Sequence, residues 1–368
     1  MTVGVLFGGP SPEHDISILT GLLALRELHR GQGDALGIYW TKSGEFFQVA
    51  PTTEAEAFVD GVPSGASELS LRVGQGGGFY TSAGRLSKQR HLEIRALIMA
   101  THGGPGEDGT IQATLDLAGV PYSGPSVAGA AIGMDKWVFG SLVKMAGLST
   151  LPRALLTSET SALPFEGPYI LKPRFGGSSI GIDVVADFAT AKARLVTNVH
   201  LARGCVVEPF RADLTDVQIA VRTYPTVNLS AIEKPLRRAP DAEILNYRDK
   251  YVGGEGMVSA PRELPAKLAP GQGEAVEQAA RHIVDLALVR GVARIDFLAN
   301  GTELYVNEVN TIPGSLSKHL FVDPPLGFAT LLADLTAEAL ERPAHRYSAA
   351  GADGLVLRSA GAISAKLA

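Results

Sequence analysis

The chain has 368 residues, 45% hydrophobic and 19% charged, with a net charge of −5 at pH 7. That is core material for two or three domains, and the absence of any Lys/Arg block argues against nucleic acid or an anionic membrane surface as a partner. The single cysteine, Cys205, excludes an internal disulfide and a CxxC metal site.

The opening MTVGVLFGG runs straight into a buried-strand pattern ending at Gly8-Gly9, with no charged n-region or apolar h-region. No apolar run reaches the roughly 18 residues of a membrane span, so a cytoplasmic location is expected. HDISILTGLLALREL has the i, i+3, i+4 spacing of a helix, and ALGIYWTKSGEFFQV reads as a strand and turn. Residues 51–90 read as variable surface connections. HLEIRALIMATHGG begins a fresh strand, and GTIQATLDLAG is the next helix. Strands alternating with helices predict a parallel, helix-flanked sheet with ligands outside the carboxyl ends of its strands. The glycines lack the GxGxxG spacing, which disfavours a Rossmann dinucleotide site and hydride transfer.

From about residue 126 the pattern changes. SVAGAAIGMDKWVFGSLVKMAG is helical, and PYILKPRFGGSSIGIDVV carries Lys172 on a strand that leads through Gly-Gly-Ser-Ser into another strand. With no GxxxxGK this is not a P-loop. Such a turn can point backbone N–H groups at phosphate oxygens; the plainer alternative is a surface hairpin. GCVVEPF, DVQIAV and NLSAIEKPL are further strands, and QAARHIVDLALVRG is an amphipathic helix. Residues 127–345 thus read as α+β with antiparallel sheets, and the tail after about 346 as a loosely tied terminus.

ARIDFLANGTELYVNEVNTIPG sets Arg294, Asp296, Glu308 and Asn310 in two alternating runs around Asn300-Gly301, a hairpin signal. A two-residue loop pairs Asp296 with Tyr305. A three-residue loop pairs it with Val306, diagonal to Glu308, and sets Arg294 opposite Glu308. Carboxylates so placed, followed by an Asn carbonyl, suit a hard cation such as Mg²⁺ or Mn²⁺. The alternative is a solvated sheet face with a surface salt bridge.

Together LFGGPSPEHDIS, HGGPGEDGTIQATLDLAGVPYSG, MDKWV, ILKPRFGGSSIG, NYRDKYV, RIDF and NEVNTIPG resemble the ATP-grasp superfamily, and within it the D-alanine–D-alanine ligases, over nearly the whole chain. The resemblance implies an ATP-grasp fold, α/β and α+β, with a parallel-sheet N-terminal domain over 1–125. Subdomains at 126–207 and 208–345 and a tail at 346–368 complete the expected division. It also implies a ligase that uses ATP to phosphorylate a donor amino acid's carboxylate, an acceptor amine then attacking the acyl phosphate. Small amino-acid or amine substrates, and a homodimer, belong to the same expectation. Another ATP-grasp reaction, with a different nucleophile or a cyclisation, and a non-catalytic nucleotide-binding homologue are the alternatives.

By resemblance Asp296, Glu308 and Asn310 match ligands for two Mg²⁺ ions, and Arg294 with the backbone N–H of Gly314 matches the oxyanion group. Lys136 and Lys172 match lysines on the ATP phosphates, with Ser178 and Ser179 in the phosphate turn. Glu208 would accept from the adenine amino group, and Asp216 is the candidate ribose acid. Glu13, with partners Ser178 and Tyr251, would orient the donor's ammonium, and Lys250 would reach the γ-phosphate. His102 ends a strand at the mouth of the site. The pattern breaks at NTIPGSLSKHL: Ser315-Leu316 stand where the family has Met-Thr, and His319-Leu320 where it has Ser-Leu. That serine binds the acceptor's carboxylate in the family, so the departure falls on acceptor recognition. Phe175 and Gly176 replace Arg-Glu or similar residues in the phosphate turn.

Overall fold

The computed structural model of the chain describes residues 2–32, 34–82, 88–236, 261–345, 347–361 and 363. β1 (Thr2–Gly8) is buried almost throughout because β2 (Ala35–Trp40) and β6 (Ile94–Met99) flank it in parallel register. Its continuous apolar run is what a strand covered on both faces requires. The crossover from β1 to β2 is α1 (His14–Gln32). Three antiparallel strands extend the sheet: β3 (Phe46–Val49), β4 (Ser67–Arg72) and β5 (Gly78–Thr81), giving the order β5-β4-β3-β2-β1-β6. Residues 51–90 are therefore not merely connections, and the sheet is mixed rather than parallel. Only Leu69 is buried in β4, so that strand carries little apolar signal.

After α2 (Thr110–Ala118), two short helices, α3 (Val127–Met134) and α4 (Lys136–Met145), meet at Asp135. The Asp135 carboxylate caps α4 by accepting from Trp137 N and Val138 N, and takes the Arg174 fork at 2.8 and 2.6 Å. That ties Lys136, the first residue of α4, to the loop after β8 (Tyr169–Pro173).

Two antiparallel sheets follow. The central one combines β7 (Ala154–Leu156), β8, β9 (Asp183–Val185) and β10 (Cys205–Pro209) in the order β7-β10-β8-β9, with α5 (Phe188–Thr197) against it. The other combines β11 (Thr215–Arg222) and β12 (Asn228–Leu229) with a C-terminal hairpin. β13 (Lys234–Pro235) and β14 (Arg262–Glu263) form a separate pair, and α6 (Gln272–Leu286) precedes the hairpin strands β15 (Val292–Ala299) and β16 (Leu304–Asn310). On β15, Ile295 and Phe297 are fully buried with Val276, Ala280 and Ile283 of α6 in one core, each large side chain contributing about 2 kcal/mol. The period-2 alternation turns Arg294 and Asp296 to the other face.

The hairpin register differs from both sequence alternatives. Ala299 pairs with Leu304, so residues 300–303 form the turn, and Asn300 Oδ1 accepts from Thr302 N and Glu303 N. A bulge beyond Phe297 then adds Asn307, and Asp296 faces Glu308 directly while Arg294 faces Asn310. The Asn side-chain turn, rather than the Asn-Gly dipeptide, sets the loop length.

α7 (Phe328–Glu341) returns to pack on β6 and α1, and a short exposed helix, α8 (Leu355–Ser359), follows in the tail. No helix among the described residues is long and apolar enough to cross a membrane.

Candidate active site

An open cleft of about 1050 Å³ is lined by loops of the N-terminal domain, the turn after β8, and the C-terminal sheet with the loop beyond it: Glu13, His102, Ser178, Asp216, Arg294, Asp296, Glu308, Asn310, Gly314 and His319 among them. A second cleft of about 830 Å³ adjoins it across Asp216, Asp296 and Glu308, and is lined by Lys136, Lys172, Gly176, Gly177 and Ser179.

At one end of the first cleft the Ser178 hydroxyl donates to Glu13 Oε1 at 2.5 Å. Glu13 immediately precedes α1, where a carboxylate is favoured. A Cβ on Gly103 would lie 2.4 Å, and one on Gly177 2.9 Å, from Glu13 Oε2. Only bare backbone on both sides leaves that carboxylate its place. Ser178 and Ser179 sit at φ 52° and 59°, a conformation that costs a non-glycine residue about 1–3 kcal/mol and concentrates at functional sites.

Along β15 and β16 the acids carry cations. The Arg294 fork closes on Asp296 at 2.7 and 2.8 Å, Asn310 Nδ2 donates to Asp296 Oδ2 at 3.0 Å, and Lys136 Nζ lies 2.9 Å from Glu308. Two opposed carboxylates and an amide on one half-buried face are an all-oxygen set that fits a hard divalent ion. Arg294 is thus engaged with its own strand's acid rather than across the hairpin with Glu308.

Beneath the second cleft, Lys172 Nζ donates to Glu208 Oε2 at 2.7 Å and Asn307 Oδ1 at 3.0 Å, and Arg153 reaches Glu208 at 2.6 Å. Glu208 has 1% of its side chain exposed. Burial opposes its ionisation, but Lys172 and Arg153 more than offset this and hold the carboxyl below its usual range. Both its oxygens face cations, so Glu208 fixes Lys172 and is not on the cleft lining where a base amino group could meet it. Arg174 and Arg203 each set a guanidinium over the Phe175 ring, 5.1 and 4.8 Å from its centre, two cation–π contacts beside the glycine turn.

The loop after β16 is held from the N-terminal domain. His102 Nδ1 lies 2.7 Å from Ile312 O and Nε2 2.9 Å from Thr20 Oγ1, which also accepts from Ser315 N at 3.0 Å. This fixes the direction of each proton: Nδ1–H donates to the carbonyl, and the Thr20 hydroxyl donates to Nε2. Burial holds the imidazole down to about 4, so it is neutral. Glu107 accepts from Ile312 N at 3.0 Å, Thr311 Oγ1 at 3.2 Å and Gly103 N at 3.0 Å. Burial first, and then the negative Glu13, push its carboxyl up to about 7.

His319 lines the far end of the first cleft, its Nε2 3.5 Å from Glu233. Leu320, by contrast, is fully buried in the N-terminal core, and neither it nor Ser315 lines the cleft. The cause is a left-handed turn at Ser315, Leu316 and Ser317, with φ near 50° at each. Tyr251 and Lys250 lie outside the described residues. Glu107, Thr20, Asn307, Arg153 and Glu233 escaped the sequence reading. Glu107 stood in the quoted HGGPGEDG stretch, and Glu233 is a buried acid just before β13.

Two sheets enclose a lysine-lined cleft, with opposed acids and a serine-bearing turn at its mouth. The family model for the D-ala D-ala ligase N-terminus matches residues 2–125, and that for the C-terminus matches residues 131–326. The D-alanine–D-alanine ligase of Chlorobaculum tepidum is 30% identical over 365 residues, covering 93% of this chain and 97% of that protein. That of Bradyrhizobium sp. is 29% identical over 354 residues, 93% and 96%. In fold the chain is similar to the VanG D-Ala:D-Ser ligase of Enterococcus faecalis (TM-score 0.74, 23% identity, 92% of this chain and 99% of that one). The D-alanyl-alanine synthetase A of Vibrio cholerae is similar too (TM-score 0.75, 21%, 92% and 98%). The chain belongs to the D-alanine–D-alanine ligase family, whose members are ATP-dependent ligases that use Mg²⁺.

Proposed function

We propose that this chain joins two amino acids by a peptide bond through an acyl phosphate, releasing ADP and phosphate, with an acceptor other than D-alanine. The observation that carries the reading is the meeting of Glu13–Ser178, Arg294, the opposed Asp296 and Glu308, and His319 in one cleft, beside the lysine-lined one.

In this reading Lys136 and Lys172, with the backbone N–H groups of the 176–179 turn, neutralise the triphosphate and orient its terminal phosphoryl. Glu13, held by Ser178, receives the donor's ammonium, which directs the donor's carboxylate toward that phosphoryl. Arg294 and the Gly314 N–H face the oxygen that becomes negative when the amine attacks. Asp296, Glu308 and Asn310 are the residues that would hold two Mg²⁺ ions, whose charge offsets that of the phosphoryl group. Asp216, shared by both clefts, is the proposed ribose contact, and a homodimer is the proposed assembly. A histidine in place of a small hydroxyl at the acceptor end supports the altered acceptor.

Incubation with ATP, Mg²⁺ and a mixture of amino acids, followed by ADP measurement and product mass spectrometry, tests this. A dipeptide whose C-terminal residue is not D-alanine is expected. Efficient D-alanyl-D-alanine synthesis in preference to every other product would remove the altered-acceptor part. Absence of ADP and of any coupled product would remove the ligase reading.

A further inference from the structure

The acceptor enters such a reaction as an ammonium ion, and an ammonium has no lone pair with which to attack. Some group must take its proton first. We propose that His319 is that general base and that Glu233 is the positioning residue that makes it one, an inference that rests on the ligase reading above.

Glu233 is locked before any substrate arrives. Its backbone N and O pair with Gln218 at 2.8 Å each, across an isolated bridge at the edge of β11. Its side chain, 3% exposed, lies 3.0 Å from Arg262 Nη1 through Oε1, and through Oε2 it accepts from Gln218 Nε2 at 2.5 Å and meets His319 Nε2 at 3.5 Å. Burial opposes its ionisation, but His319, Arg262 and Arg294 together hold the carboxyl below its usual range. A carboxylate so occupied has no room for a substrate ammonium. What it does is orient the ring: Nε2 is the nitrogen that faces Glu233, and in the tautomer that carries its proton there Nδ1 holds the lone pair. Nδ1 has no hydrogen-bond partner among the described residues, and the ring lines the cleft. A neutral imidazole in this tautomer offers an acceptor, which suits an ammonium N–H and not a carboxylate oxygen. A carboxylate orienting a histidine whose other nitrogen meets the substrate is a recurrent acid–base arrangement.

The charged groups on the same cleft are Glu233, Arg262, Arg294 and Asp296, with Glu13, Glu107, Asp216 and Glu308; from α1, Ile16 lines it, and Thr20 holds the backbone of Ser315. In the step itself, Nδ1 takes one proton from the acceptor's ammonium. The freed amine attacks the acyl carbon, the C–N bond forms, and the C–O bond to phosphorus breaks with its electron pair on phosphate. The second nitrogen proton leaves with the phosphate, and the imidazolium returns its proton to solvent.

Hydroxylamine supplies the discriminating experiment, because it is uncharged near neutral pH and needs no base. His319→Gln and Glu233→Gln are compared with the unaltered chain in two assays with the same amino-acid mixture, ATP and Mg²⁺. One measures peptide formation and the other hydroxamate formation with hydroxylamine. The proposal expects peptide formation by His319→Gln to fall about 100-fold, with hydroxamate formation kept within about threefold. Glu233→Gln is expected to move the acid limb of the peptide-forming kcat/KM profile while leaving the hydroxamate rate unchanged. An equal fall in both assays for His319→Gln would mean a structural role. A rise in acceptor KM with kcat unchanged would mean that His319 binds the acceptor's carboxylate instead. Either outcome overturns the proposal. No hydroxamate from the unaltered chain would count against the ligase reading and not against the base.

Discussion

At the scale of single residues, Glu107 and His102 grip the two ends of one amino acid, Ile312, yet they respond to pH in opposite directions. Burial and Glu13 raise the Glu107 carboxyl from 4.5 to about 7, so the folded state holds that proton more tightly than the unfolded chain does. Its contribution to stability is complete below pH 4.5 and is lost as pH climbs through about 7. Burial lowers His102 from 6.5 to about 4, so its contribution is present above pH 6.5 and lost as pH falls through about 4. Over the shared range the two offset each other. Glu107→Gln cannot titrate, and it should therefore expose the histidine's slope. Denaturant midpoints measured from about pH 4 to about pH 8 should rise with pH in the variant up to near 6.5 and then level. A variant that still loses stability between about pH 5 and pH 7 would contradict the assignment. The Gln amide sets a donor against Gly103 N–H, so a uniform loss of about 1–3 kcal/mol is expected beneath that slope.

At the scale of elements, the C-terminal hairpin does more than carry acids. The extra residue at its bulge, Asn307, sends Oδ1 to Lys172 of the central sheet and its backbone O to Arg153 at 2.5 Å. The same irregularity that aligns Asp296 with Glu308 thus joins the two sheets that enclose the lysine-lined cleft. Asn307→Ala keeps the register but removes the Lys172 contact. It should raise the ATP KM about 10-fold, a charge-assisted hydrogen bond being worth roughly 1.5 kcal/mol or somewhat more, with the Mg²⁺ requirement unchanged. Steady-state kinetics at several Mg²⁺ concentrations check this; an unchanged ATP KM would mean that Lys172 does not meet the nucleotide. The hairpin was legible in the sequence because alternation and Asn300-Gly301 mark it. Its register was not, since Asn300 builds a four-residue turn with its side chain and the bulge answers contacts made with strands 100 or more residues away. β4 escaped for a different reason, one buried leucine among polar residues being too little pattern to read.

At the scale of the whole molecule, three hydrophobic cores among the described residues underlie the N-terminal, central and C-terminal sheets, and α7 returns after the C-terminal sheet to pack on β6 and α1 of the first. That return explains why Leu320 faces inward: the segment before α7 must reach the N-terminal core, and its left-handed turn buries Leu316 and Leu320 while leaving His319 on the cleft. Glu13, Ser178, Arg294, Asp296 and Glu308 line one cleft, and the family pattern named them without any knowledge of the turn that joins them. It said nothing of Glu233, bridged to Gln218 of β11, or of Arg262 on β14, both of which line the cleft. The central claim is that the donor's carboxylate is phosphorylated in this cleft. Donor amino acid labelled with ¹⁸O in its carboxylate tests it most directly, through the isotope content of the phosphate released during coupling. One ¹⁸O transferred to phosphate for each peptide bond formed is the expected result; unlabelled phosphate accompanying product would contradict the account.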